Sequence, residues 1–462
     1  MKEIKGSTIR RRYARLPLAL ALGAMVLTPA VIGAGASSAE ASVGTNGETS
    51  ITLSGDARIR GFWQEDAQFG NRVTPHPVTG ADQDDDTNRQ LQQRMRIALD
   101  VEAAGGTSLH TRFHMSGDGF SGGMYTYDDG DDAFGRLVTT DYLFFRVPVA
   151  DATVTVGRQV VDWGHALKTW DGRNDRLRVD YSLNDETNLF AYYENQREAQ
   201  TRLQTLNTTA QDEDTIAYAI GAVYSTNDME LGGKLIHTND ERPSRAAGTP
   251  FTGIGESGQE LALYGTFQID DLTIRAEGEY RFGDIHRMQN PIDPNDDNGA
   301  PYALYLGGDY SMGDTTLSAG GAYAKNGYAA RNHFGRNISM FLNPSDGSGL
   351  GHTNFGGTAD FGGGADDRAY ALGVGVRHQV SPELTLSSRL AYIDNKNVVA
   401  AGQPSADWDV TALDASLAYR INASTTYHID GIYASASIDD ALAAQNNDDA
   451  YWGIGHRFEI RF

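Results

Sequence analysis

The chain has 462 residues, no cysteine, 53 glycines, 22 tyrosines, 10% aromatics and a formal charge of −23. The absence of cysteine excludes disulfide scaffolds, thiolate metal centres and cysteine nucleophiles, and the acidic balance argues against a nucleic-acid binder, which needs a basic face. A mean hydropathy of −0.43 leaves no room for a bundle of apolar membrane helices, but it does not exclude a membrane β-barrel, whose lipid face is hidden in alternation.

The first element is a leader. Lys2, Lys5, Arg10, Arg11, Arg12 and Arg15 precede an apolar run from Leu16 to Gly35, and Ala39-Glu40-Ala41 follows as an A-x-A cleavage pattern. This order is that of a signal peptide, residues 1–41, leaving 42–462 as a single domain exported from the cytoplasm. Removing six bases and two acids takes the balance to 32 − 59 = −27.

From there one pattern repeats. Ile51, Leu53, Ala57, Ile59 and Trp63 alternate with Thr52, Ser54, Asp56, Arg58 and Arg60. Leu91, Met95, Ile97 and Leu99 alternate with Gln92, Arg94, Arg96 and Asp100, and Leu109, Phe113 and Met115 with His110, Arg112 and His114. Strands with the same two-residue period are predicted near 138–148, 152–159, 175–183, 188–194, 215–225, 228–238, 259–270, 271–282 and 302–312. Six more follow near 315–325, 368–380, 384–393, 408–421, 426–436 and 450–462, making eighteen, with sixteen as the alternative count.

The connections alternate in length. Short turns at 104–106, 148–151, 184–187, 226–227, 270–271, 313–314, 381–383 and 422–425 interleave with nine long polar loops. Short turns on one side and long loops on the other are the habit of an all-β, antiparallel transmembrane barrel in a Gram-negative outer membrane. The last strand adds Phe458, Ile460 and a terminal Phe462, the pattern of a barrel-insertion signal read by the assembly machinery. Outward aromatics such as Trp63, Tyr193, Tyr280, Tyr323, Tyr419 and Trp452 fall near strand ends, where headgroups would meet them.

An eighteen-strand barrel is too wide for strand side chains to fill. Inward parity carries about sixteen bases and thirteen acids, unevenly spread. Arg58, Arg60, Arg94, Arg96, Arg112, Arg176 and Arg178 form a basic wall on the first six strands. Such a wall suits small anionic solutes or a polyanion, because guanidinium matches carboxylate bidentately; the competing reading is that these arginines pair with lumen acids and stiffen the wall. The third long loop, VVDWGHALKTWDGRN, holds Trp163, His165, Lys168, Trp170 and Asp171. Two tryptophans suggest a constriction folded into the lumen, the alternative being an extension of the fifth strand at the outer girdle.

Other loops carry acidic runs at 82–86, 128–132 and 293–298. Their oxygen ligands suit loosely held Ca²⁺ or Mg²⁺ or bridging to lipopolysaccharide, but none has EF-hand spacing. No cofactor is expected. G-x-S-x-G, H-E-x-x-H and Walker patterns are absent from the sequence, and no catalytic set is expected.

Around the fourth to sixth strands the chain reads DYLFFRVPVADATVTVGRQVVDWG and then DRLRVDY. Gly157-Arg158-Gln159 closing a strand, with the terminal Arg461-Phe462, resembles the alginate-export family of eighteen-stranded outer-membrane channels. The resemblance implies an arginine-lined path for an anionic polysaccharide. Three functions are therefore carried forward: a passive channel for small hydrophilic, anionic solutes; an alginate-type exporter; and a structural or adhesive barrel with a plugged pore.

Overall fold

The computed structural model describes residues 41–42, 49–65, 88–116, 138–165, 167, 172–197, 215–240, 257–282, 300–326, 328, 338–339, 368–397, 406–438 and 450–462. Eighteen barrel strands follow in chain order. They are β1 (Ser50–Glu65), β2 (Asn88–Glu102), β3 (Ser108–Ser116), β4 (Thr139–Val149), β5 (Ala152–Val161) and β6 (Gly172–Ser182). Next come β7 (Thr187–Arg197), β8 (Thr215–Ser225), β9 (Met229–Asp240), β10 (Gly258–Ile269), β11 (Leu272–Phe282) and β12 (Tyr302–Met312). The last six are β13 (Thr315–Lys325), β14 (Arg368–Gln379), β15 (Leu384–Asn397), β16 (Ala406–Arg420), β17 (Thr425–Ile438) and β18 (Ala450–Arg461).

Each strand pairs antiparallel with its sequence neighbours, and β18 closes the ring on β1, with Trp452 opposite Glu65 and Arg461 opposite Asp56. Closure leaves no edge, which is the condition for a sheet to cross lipid. The expected count of eighteen is the observed one. Strand lengths run from 9 residues in β3 to 16 in β1, enough for tilted strands to span hydrocarbon. The terminal Phe462 adds two backbone hydrogen bonds with Gly55, at 2.6 and 3.0 Å. Below that point Ala41 and Ser42 pair with Leu53 and Thr52 along the start of β1.

The two-residue period sorts side chains as the alternation predicts. Leu263, Leu306, Val374, Leu390, Leu413 and Ile454 are exposed on the outer face, where lipid replaces water as the solvent. Aromatic pairs form on that face near strand ends: Trp63 with Trp452 at 4.7 Å between ring centres, Tyr193 with Tyr218 at 5.5 Å, and Tyr302 with Tyr323 at 5.9 Å. Two-residue turns place Ala150 and Asp270 at φ 53° and 50°, the left-handed backbone that tight hairpins demand. The acidic runs, the leader up to residue 40, and Lys168, Trp170 and Asp171 lie outside the described residues.

Candidate functional site

The basic wall is built where β1, β2 and β3 lie side by side. Register sets Arg58 opposite Arg94 and Asp56 opposite Arg96. Two like charges face each other directly, an arrangement that costs stability unless a counter-charge is shared. Asp56 supplies it. Its carboxylate accepts from Arg96 Nε at 2.8 Å and from Arg94 Nη2 at 3.2 Å. Arg60 donates through Nε to Gln92 at 2.7 Å, and both Arg58 and Arg60 are buried. On the other side of the seam Arg58 lies opposite Glu459.

A second cluster forms around Asp141. The register of β3 against β4 shifts there: Arg112 lies opposite Tyr142 and Phe113 opposite Thr140, so Asp141 is the extra residue of a β-bulge. Bulges re-aim side chains in this way. The Asp141 carboxylate accepts from Arg112 Nε at 2.5 Å and from Arg173 Nε at 3.0 Å, with His114 Nε2 at 3.6 Å. Asp100 holds His110, Nδ1 to Oδ1 at 2.6 Å.

Arg176 and Arg178 on β6 are each matched one to one. Arg176 pairs with Glu194 and lies over the Tyr192 ring, 4.0 Å from its centre. Arg178 pairs with Asp180 at 2.7 Å and lies 4.6 Å over Phe190. Five of the seven arginines of the sequence-derived wall are thus of two kinds. Arg94 and Arg96 share one carboxylate, and Arg112 shares another with Arg173; Arg176 and Arg178 are individually neutralised. Arg173 and Asp141 were missed in the sequence, because β6 starts at Gly172 inside the expected loop and a bulge leaves no mark in alternation.

The opposite arc of the lumen has different chemistry. Its inward positions on β12 to β17 carry Ala303, Ala322, Ala324, Ala369, Ala371, Ala391, Ala412 and Ala434, all buried. What buries them comes from loops. Leu167, Tyr328 and Ile338 are 0%, 0% and 1% exposed, and they share one apolar cluster with these alanines, Phe62 on β1 and Tyr305 on β12. Small wall residues make room for large loop residues, at the density of any protein core. The alanines were present in the sequence as an inward face of small residues, which by itself does not say whether water or a loop covers them.

The third long loop reaches this cluster through Leu167, and its earlier part packs in a second apolar cluster with residues of β7 to β10. Trp163 is buried between Phe190 and Tyr264, with ring-centre distances of 5.9 and 4.9 Å, and Lys234 Nζ lies 4.3 Å over its ring. His165 is buried beside it, its Nε2 at 3.0 Å from the carbonyl oxygen of Gly265. Gly157 of the G-R-Q stretch has φ 121°, and a Cβ there would stand 2.3 Å from the carbonyl oxygen of Leu143. Gln159 faces inward and donates to the Arg176 carbonyl at 2.9 Å, whereas Arg158 pairs with Asp175 at 3.9 Å. Among the described residues no group of three or more His, Asp or Glu is placed to hold a metal ion.

Against solved structures, the chain is similar to Pseudomonas aeruginosa OpdK with vanillate, at 12% identity and a TM-score of 0.52, covering 89% of this chain and 98% of that one. It is also similar to Pseudomonas aeruginosa OpdQ, at 10% identity and a TM-score of 0.50, over 89% and 98% of the two chains. The fold is that of an outer-membrane porin barrel. No protein-family model and no curated protein matches the chain, so the likeness to the alginate-export family gains no support from those comparisons.

Proposed function

We propose that this chain is an outer-membrane channel for passive diffusion of small hydrophilic anions, with carboxylates as the favoured class. The observation that carries the reading is the charge arithmetic of the wall. Asp56 serves Arg94 and Arg96, and Asp141 serves Arg112 and Arg173. In each cluster two guanidinium groups share one carboxylate, in a lumen where water screens poorly. A guanidinium sharing its carboxylate can exchange that partner for a passing anion at little cost, because the second arginine keeps the carboxylate paired.

The neighbouring barrel carrying vanillate, itself a small carboxylate, supports the same class. The loop residues packed across the alanine arc favour a narrow path over the wide one a polysaccharide exporter requires. The reading includes export through the leader, insertion through the terminal Phe458, Ile460 and Phe462, and residence among lipid and lipopolysaccharide of a Gram-negative cell.

Planar-bilayer recording tests it. Stable conductance with an anion-selective reversal potential is expected, shifting toward cations in Arg94→Glu and Arg96→Glu. Silence of the wild-type protein would replace this reading with the structural barrel, and an unshifted reversal potential would remove the role of the wall.

A further inference from the structure

Two buried carboxylates stand apart from the arginine wall. Glu277 and Glu279 are successive inward residues of β11, and both are nearly inaccessible, at 3% and 2%. Their neighbours are already matched: Glu260 takes Arg281 at 3.1 Å and Asp309 takes Arg275 at 2.6 Å. Glu277 does something else. Its Oε2 accepts the backbone N–H of His165 at 2.6 Å and that of Leu167 at 3.2 Å. These donors belong to a chain segment 110 and 112 residues away in sequence.

A loop that enters a lumen and is cut off from water must find acceptors for its backbone donors. One carboxyl oxygen accepting two N–H groups supplies both at once. The fit is close: a Cβ at Gly164 would stand 2.7 Å from the Glu277 carboxyl carbon. Glu279, one inward step along the strand, receives the hydroxyl of Tyr328 from a different loop. Tyr328 is held from its other side by Arg281, 4.6 Å over the ring.

We propose that Glu277 and Glu279 are positioning residues for the pore: two adjacent posts on one strand that tether two separate loops across the lumen and so set its bore. Leu167, tethered by Glu277, is a fully buried member of the apolar cluster reaching from β12 to β1. The cluster alone would hold the loop by area without direction. The carboxylate fixes where the backbone stops. This inference rests on the channel reading for its consequence, but the tether itself can be tested separately.

The test uses the full chain, which has no cysteine. Leu167→Cys places a single thiol at the buried point, and a membrane-impermeant maleimide reports its exposure. Labelling of Leu167→Cys is expected to be slow, and to become about tenfold faster when Glu277→Ala is added. Glu277→Gln keeps an acceptor oxygen and is expected to leave labelling slow. Single-channel conductance is expected to rise roughly twofold in Glu277→Ala and to stay unchanged in Glu277→Gln. Electrophoretic mobility before and after heating checks that each barrel is folded. No effect from Glu277→Ala, or equal effects from the two variants, would overturn the proposal. A wild-type protein that does not conduct would remove the channel reading, while the labelling still decides the tether.

Discussion

Asp141 meets Arg112 through a break in the sheet: the bulge between β3 and β4 turns the carboxylate of Asp141 to within 2.5 Å of the Arg112 Nε. Regular pairing would have put residues 141 and 142 on opposite faces of the wall. The bulge makes Asp141 a counter-charge to the lumen, and Arg173 shares it.

Asp141→Asn keeps the shape and removes the charge. Arg112 and Arg173 then face the lumen without a shared carboxylate. Anion over cation permeability is expected to rise roughly twofold, read as a reversal-potential shift opposite to that of Arg94→Glu. The variant is also expected to unfold at lower urea, since a part-buried guanidinium loses its partner at a cost of about 1–3 kcal/mol.

Gly164 has φ 58° and no space for a Cβ beside Glu277. Gly164→Ala combines left-handed backbone with a steric clash and is expected to weaken loop docking by about 2 kcal/mol. Maleimide labelling of Leu167→Cys in that background measures it, and slow labelling would show that the loop accommodates the methyl group.

Trp163 is buried, and its indole N–H has no hydrogen-bond partner among the described residues. Trp163→Phe removes that donor while keeping ring contact with Phe190 and Tyr264. Opposing terms leave stability within about 1 kcal/mol of wild type. Trp163→Ala instead opens a cavity and is expected to cost about 3–5 kcal/mol. Urea titration in lipid vesicles separates the two.

Leu306 is 61% exposed on the outer face of β12. Arginine there would meet hydrocarbon. Leu306→Arg is expected to cost about 2–4 kcal/mol of folding free energy in a bilayer. A neutral result by the same titration would mean that this face is not at hydrocarbon depth.

Much of this was legible from alternation. Arg58, Arg94 and Arg112 point inward, and Leu306 and Ile454 outward, because a strand in a closed sheet between two solvents has only two faces. Trp163 and His165 drew notice because tryptophans are poor residues for open water. Asp141 and Arg173 escaped, since the bulge and the early start of β6 are local departures from the period. The alanines of β12 to β17 were visible but carried no direction, as small side chains are compatible with either a wide pore or a covered wall.

The sequence by itself determined the closed antiparallel architecture, narrowed the crossings to eighteen or sixteen, and set the face of side chains wherever the two-residue period is unbroken. Those follow from the period of a strand and from the demand that lipid places on every outward residue. Tertiary structure alone decided which carboxylate each arginine meets and what fills the lumen. The Glu277 to His165 contact joins residues 112 apart, and its existence depends on ring closure and on a loop finding acceptors inside. Such pairings are set by three-dimensional distance and desolvation, which no spacing along the chain encodes.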